Sequence, residues 1–209
     1  MKLDWYYDFI SPFAYLQLER IRRLHPSLPF TPIPLLFGAL LAHYRQMGPA
    51  EIGAKRRVTY ESVVWRAQHD EIPLRFPPRH PFNPIPALRL AVVGGGSVDL
   101  VQAIFRHIWR DGLTLDTEEE VSVFATTHGR PNPIEAMRSE PVKAALRSNG
   151  AQALAAGVFG VPSFVVNGRV FWGDESTAML LDYLHDPVTF DTPEMLRVAS
   201  LPIGVERIR

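Results

Sequence analysis

The sequence contains no cysteine. That excludes disulfide staples, zinc held on thiolates and any thiol–disulfide exchange by the protein's own atoms. A thiol taking part in chemistry here must arrive on a ligand. Lysine is scarce as well, at three of the 22 basic residues, and the arginines are scattered among acids rather than gathered on one face. Net charge is formally zero, so there is no electrostatic footprint for nucleic acid or an anionic membrane surface. No stretch approaches the ~18 apolar residues of a membrane span. Asp4 and Asp8 break the only N-terminal candidate for an apolar leader, so none is expected. These absences set the expectation of a cytoplasmic protein with no membrane and no nucleic-acid partner. The seven histidines show no H-E-x-x-H or other ligand spacing, so no metal is expected. No serine sits in a Gly-x-Ser-x-Gly elbow. Gly94-Gly95-Gly96 lacks the Lys-Ser/Thr of a phosphate loop and reads as a turn between helices.

The 209 residues, 46% of them hydrophobic, suffice for one compact unit or two small packed ones. Residues 2–8, rich in Trp and Tyr, read as a buried strand. Ser11 and Pro12 then suit an N-cap and a first helical position, because proline's missing N–H is unpaired there in any case. Phe13, Leu16, Leu18, Ile21 and Leu24 give an apolar helical face ending at Pro26. Phe30–Pro34 reads as a short outer strand. Helical patterns follow over Phe37–Tyr44, Ala54–Asp70, Asn83–Val93, Val98–Arg110, Thr117–Thr127 and Pro141–Ala155. Strand character returns at Ser163–Asn167 and Val170–Trp172 around an Asn167-Gly168 turn, and a last helix spans Asp174–Leu184.

The order β-α-β, helical block, α-β-β-α predicts an α/β fold. It is a thioredoxin-like domain from residues 1–36 and 140–186, an inserted all-helical subdomain at 37–139 and a tail at 187–209. Thioredoxin-like folds place a redox motif at the first strand–helix junction and face it with a cis-proline. Here Ser11 stands where the first cysteine would be, and Val161-Pro162 stands at the proline position.

Several segments carry a resemblance to one family. Tyr6-Tyr7-Asp8-Phe9-Ile10-Ser11-Pro12-Phe13-Ala14-Tyr15-Leu16 resembles the opening of the 2-hydroxychromene-2-carboxylate isomerases, relatives of kappa-class glutathione transferases. Pro49–Lys55, Pro81–Arg89, Gly157–Glu175 and Leu201–Val205 are similar to that family too, in the same order and over nearly the whole chain. The resemblance implies a glutathione cofactor, a small aromatic carboxylate substrate and a homodimer.

It also implies roles for particular residues. The Ser11 hydroxyl would hydrogen-bond the glutathione sulfur. A helix N-terminus and a hydroxyl donor both favour thiolate over thiol. Val161 would pair through its N–H and C=O with the cysteinyl part, a one-residue strand addition. Gly173, Asp174, Glu175 and Ser176, opening a helix, would hold the γ-glutamyl end by free N–H groups and an acidic side chain. Relatives often carry an arginine where Ser176 stands and an asparagine where Glu51 stands. Asn83 is placed near the glutathione and Lys55 near the acidic substrate. Each has a plainer alternative: Ser11-Pro12 as a mere capped helix start, Asp174 and Glu175 as helix caps, Lys55 as a solvated charge, and Trp5, Tyr6, Tyr7, Phe9 and Phe13 as core rather than substrate walls. The function expected is glutathione-dependent isomerisation. A kappa-like glutathione transferase or peroxidase and a non-catalytic thioredoxin-fold binding module are the alternatives.

Overall fold

A computed structural model describes residues 2–205. β1 (Asp4–Tyr7) leads into α1 (Pro12–Leu24), and β2 (Thr31–Pro34) returns parallel to β1. A helical stretch follows: α2 (Phe37–His43), α3 (Gly53–His69), α4 (Ile85–Val93), α5 (Val98–Phe105) with a π-helical turn at Arg106–Arg110, α6 (Glu118–Thr127), α7 (Pro133–Arg138) and α8 (Glu140–Ala155). The chain then re-enters the sheet as β3 (Ser163–Val166) and β4 (Arg169–Trp172). A 3-10 turn at Asp174–Ser176 opens α9 (Thr177–His185), and α10 (Pro193–Ala199) follows. The sheet order is β2-β1-β3-β4, with β3 antiparallel to both neighbours. This is the thioredoxin-like sheet with a helical insertion that the element order predicts.

β2 shows why its sequence is tolerated. Pro32 and Pro34 have no N–H to give, which is acceptable only because β2 lies at the sheet edge. In β1 the period-2 alternation sorts the aromatics between faces. Trp5 and Tyr7 stack at 4.7 Å and join Phe9, Phe105 and Phe164 in the larger core. Tyr6 faces the other way, into a smaller cluster with Leu35, Leu40, Ala153 and Val161. Trp5, Tyr7 and Phe9 are fully buried, so they are core residues and not walls for a ligand.

Two elements depart from expectation. α7 falls in what reads as loop, because six residues are too few for a helical period. The stretch read as a surface tail carries a 3-10 turn at Pro187–Phe190 as well as α10. Phe190 is buried there against Phe171 and Tyr183.

Candidate functional site

Three segments converge at the carboxyl end of β1. The first is the β1–α1 junction. Ser11 adopts an extended N-cap conformation, and its Oγ accepts the Ala14 N–H at 3.2 Å. That bond orients the oxygen and leaves the hydroxyl proton without an acceptor among the described residues. Ser11 is only 7% exposed. The junction is braced from the insertion: Trp109 Nε1 donates to the Phe9 carbonyl at 2.8 Å, and His80 Nε2 lies 2.8 Å from the Ile10 carbonyl. Burial lowers the His80 pKa below its ordinary value, opposed by its bond to Ile10. A neutral ring donates from Nε2 and leaves Nδ1, 2.7 Å from the Tyr60 hydroxyl, to accept.

Beneath this turn lies Asp8, fully buried. Its carboxylate accepts the Ile10 N–H at 3.1 Å and the Phe37 N–H at 2.8 Å, while its carbonyl accepts the Ser11 N–H at 3.1 Å. Burial pushes its carboxyl up to about 7, with the N–H donors of Phe37, Ile10 and Phe9 pulling the other way.

The second segment is Val161-Pro162, whose peptide bond is cis. Tyr6 pairs with Ser163 in the antiparallel β1–β3 register, so continuing that register sets Pro162 beside Tyr7 and Val161 beside Asp8. The Pro162 carbonyl accepts the Gly173 N–H at 2.9 Å. The N–H and C=O of Val161 have no hydrogen-bond partner among the described residues. Such a pair is an open strand edge one residue long.

The third segment runs from Gly173 to Ser176. Gly173 has φ 89° and ψ 159°, a backbone region essentially closed to side chains, and a Cβ built there would lie 2.9 Å from the Glu175 carboxyl carbon. Gln17 ties this segment to α1. Its Nε2 donates to the Gly173 carbonyl at 3.1 Å and to Thr177 Oγ1 at 3.0 Å, while its Oε1 accepts from Trp5 Nε1 at 2.7 Å. Ser176 Oγ donates back to the Gly173 carbonyl at 2.8 Å.

Asp174, expected among the ligand contacts, is 1% exposed, and its carboxylate is spent on arginines. It pairs with Arg20 and, at 3.3 Å, with Arg66; Arg20 also pairs with Asp70. Burial raises the Asp174 carboxyl, opposed by the charge and hydrogen bonds of Arg20 and Arg66. Its side chain therefore anchors the turn rather than facing a ligand. Glu175, with a side chain 62% exposed, is the acid that remains available.

Arg66 was not legible as a site residue. It reaches this place from α3, touching Asp174 and, at 3.4 Å, Glu175, and its guanidinium lies 5.3 Å from the centre of the Phe13 ring. A basic group thus stands at the turn where Ser176 supplies none. Its partners lie about a hundred residues away in sequence, so no local pattern points to it.

Asn83 and Lys55 are placed less centrally. Asn83 is exposed; its Oδ1 accepts the Ile85 N–H at 3.2 Å and its Nδ2 donates to the Asp116 carbonyl at 3.4 Å, with no bond to the three converging segments. Lys55 is exposed in the first turn of α3 and makes no ion pair among the described residues. The Glu51 carboxylate accepts the Gly48 N–H within its own 3-10 turn, which holds that acid locally.

A cysteine-free thioredoxin-like sheet, a capped helix start and a facing cis-proline define the class. The chain belongs to the DSBA-like thioredoxin domain family, which it matches over residues 2–185. Among curated relatives, a 2-hydroxychromene-2-carboxylate isomerase of Sphingobium xenophagum is 28% identical over 88% of this chain and 98% of its own length. Glutathione S-transferase kappa 2 of Caenorhabditis elegans is 26% identical over 88% and 92%. A solved 2-hydroxychromene-2-carboxylate isomerase structure superposes with a TM-score of 0.78 at 20% identity, covering 93% of this chain and 99% of that one. At family level the chain stands with isomerases and a glutathione transferase built on this fold. No helix among the described residues is long and apolar enough to cross a membrane.

Proposed function

We propose that this protein is a glutathione-dependent isomerase of 2-hydroxychromene-2-carboxylate or a related aromatic acid. The observation that carries the reading is Ser11: a buried hydroxyl at a helix N-terminus, its oxygen already bonded to Ala14 and its proton unspent. Bound glutathione supplies the thiolate nucleophile that the chain lacks. Ser11 would donate its proton to the sulfur and, with the positive end of α1, favour the thiolate form. The unpaired N–H and C=O of Val161 would take the cysteinyl backbone, and Glu175 the γ-glutamyl ammonium. Arg66 would take the γ-glutamyl carboxylate, the contact that Ser176 does not provide. A homodimer and a cytoplasmic location belong to the same reading.

Calorimetry with glutathione, followed by an absorbance assay of chromene isomerisation, tests this on wild type and Ser11→Ala. Binding and turnover by the wild type are expected, and the variant should lose turnover while staying folded, at a capping cost of about 1 kcal/mol. Absence of glutathione binding by the wild type would overturn the reading. The similarity to a kappa-class transferase supports a second reading, transfer of glutathione to an electrophile. Binding of glutathione without isomerisation would favour it.

A further inference from the structure

A groove of about 450 Å³ opens where α2, α4 and α8 meet, within the size range of small-molecule sites. Its walls are apolar, with Leu36 and Leu40 on one side and Leu146 and Leu154 on the other. Three cations line it, Arg89, Lys143 and Arg147. The Arg89 Nε is buried and has no hydrogen-bond partner, and Lys143 forms no ion pair among the described residues. The Arg89 nitrogen is unusual, because a buried guanidinium nitrogen ordinarily finds an acceptor. The nearby acids do not answer it. Glu118 is hydrogen-bonded to Arg138, and Glu140 pairs with Arg147. Each holds its carboxyl below the ordinary range mainly through that partner, with Arg89 and Lys143 adding only a weaker pull. Three cations thus line the groove and no acid does.

The sequence keeps the groove open at one further point. Gly150 lies inside α8 and lines the groove, and a Cβ built on it meets nothing within 4 Å. A glycine in mid-helix is unfavourable relative to alanine, and no crowding at this position calls for one.

We propose that this groove binds an apolar organic carboxylate. The hydrocarbon part lies on the leucine walls, and the carboxylate receives hydrogen bonds from Arg89 and the charge of Lys143. The site stands independently of the glutathione reading, since none of its residues belongs to the Ser11 junction. It is nevertheless coupled to that junction by packing. Leu40 belongs to the cluster that buries Val161, and Leu154 packs against that cluster. Leu36 immediately precedes Phe37, whose N–H is held by Asp8.

The test uses 2-naphthoate and its uncharged counterpart 2-naphthamide, titrated by calorimetry into the full-length protein without glutathione. Naphthoate is expected to bind at least about tenfold more tightly than naphthamide, the scale of one hydrogen bond to a charged group. Arg89→Met should remove that preference while keeping the fold, because it deletes an unpaired buried nitrogen and conserves most of the volume. Gly150→Leu, a better helix former projecting into the open space, should abolish binding of both. Equal affinity for the two probes, unchanged naphthoate affinity in Arg89→Met, or no binding by the wild type would each overturn the proposal.

Discussion

Asp8 makes the stability of this protein depend on pH in a way that one substitution removes. Its carboxyl titrates at about 7 in the folded chain against an ordinary value of 3.8. The sign follows from which state binds the proton more tightly, here the folded one. Stability from this group is therefore fully present below about pH 4 and is lost as pH rises through about 7, with little change beyond. Three pKa units at ~1.36 kcal/mol each amount to roughly 4 kcal/mol across that window. In Asp8→Asn this titration disappears. The amide keeps one acceptor oxygen where the carboxylate has two, so either the Ile10 or the Phe37 N–H loses its partner. An orphaned buried donor costs ~1–3 kcal/mol. The variant should thus be less stable than wild type near pH 4 and equal or more stable at pH 8. Urea unfolding at half-unit pH intervals measures the difference directly. Parallel stability profiles for the two proteins would refute the argument, because they would mean that Asp8 titrates normally in the folded state.

Three further substitutions probe separate parts of the molecule. The Tyr7 hydroxyl is buried without a hydrogen-bond partner, so Tyr7→Phe should stabilise by about 1 kcal/mol and raise Tm by about 2–4 °C; a lower Tm would contradict this. Gly173→Ala places a side chain at φ 89° and against Glu175, and should cost ~1–3 kcal/mol in urea unfolding; an unchanged midpoint would show that the turn relaxes freely. Arg66→Leu should weaken glutathione binding about tenfold while leaving cysteinylglycine, which lacks the γ-glutamyl group, unaffected. Equal losses for both ligands would mean that Arg66 only shapes the fold.

Local patterns reveal some of these features and hide others. Ser11-Pro12 shows its helix start because cap and first-turn proline are adjacent in sequence. The prolines of β2 read correctly because an edge strand tolerates them. The C-terminal helix α10 is missed in a stretch that reads as a tail, because it has no buried face to give it a period. Asp8 is different. In the sequence it only interrupts an apolar run, and its burial becomes visible once Phe37 and Ile10 are brought to it. Arg66, Gln17 and Trp109 are illegible in the same sense, since each acts on a group far along the chain.

These distant contacts define the part played by the helical insertion. The carbonyls of Phe9 and Ile10 point away from any strand partner, and it is Trp109 and His80 that hydrogen-bond them. Arg66 reaches the Asp174–Glu175 turn from α3. Without the insertion, both carbonyls and one face of Asp174 would need other partners, each at the cost of a buried hydrogen bond. In a thioredoxin-like protein with its own cysteine, the reactive atom is fixed covalently to the first helix. Here the reactive sulfur would be a visitor, and its position depends on every wall around it. A borrowed thiol thus asks more of the surrounding scaffold than a resident one does. In the glutathione reading, side chains reaching in from α3, from the loop before α4 and from the end of α5 would answer that demand.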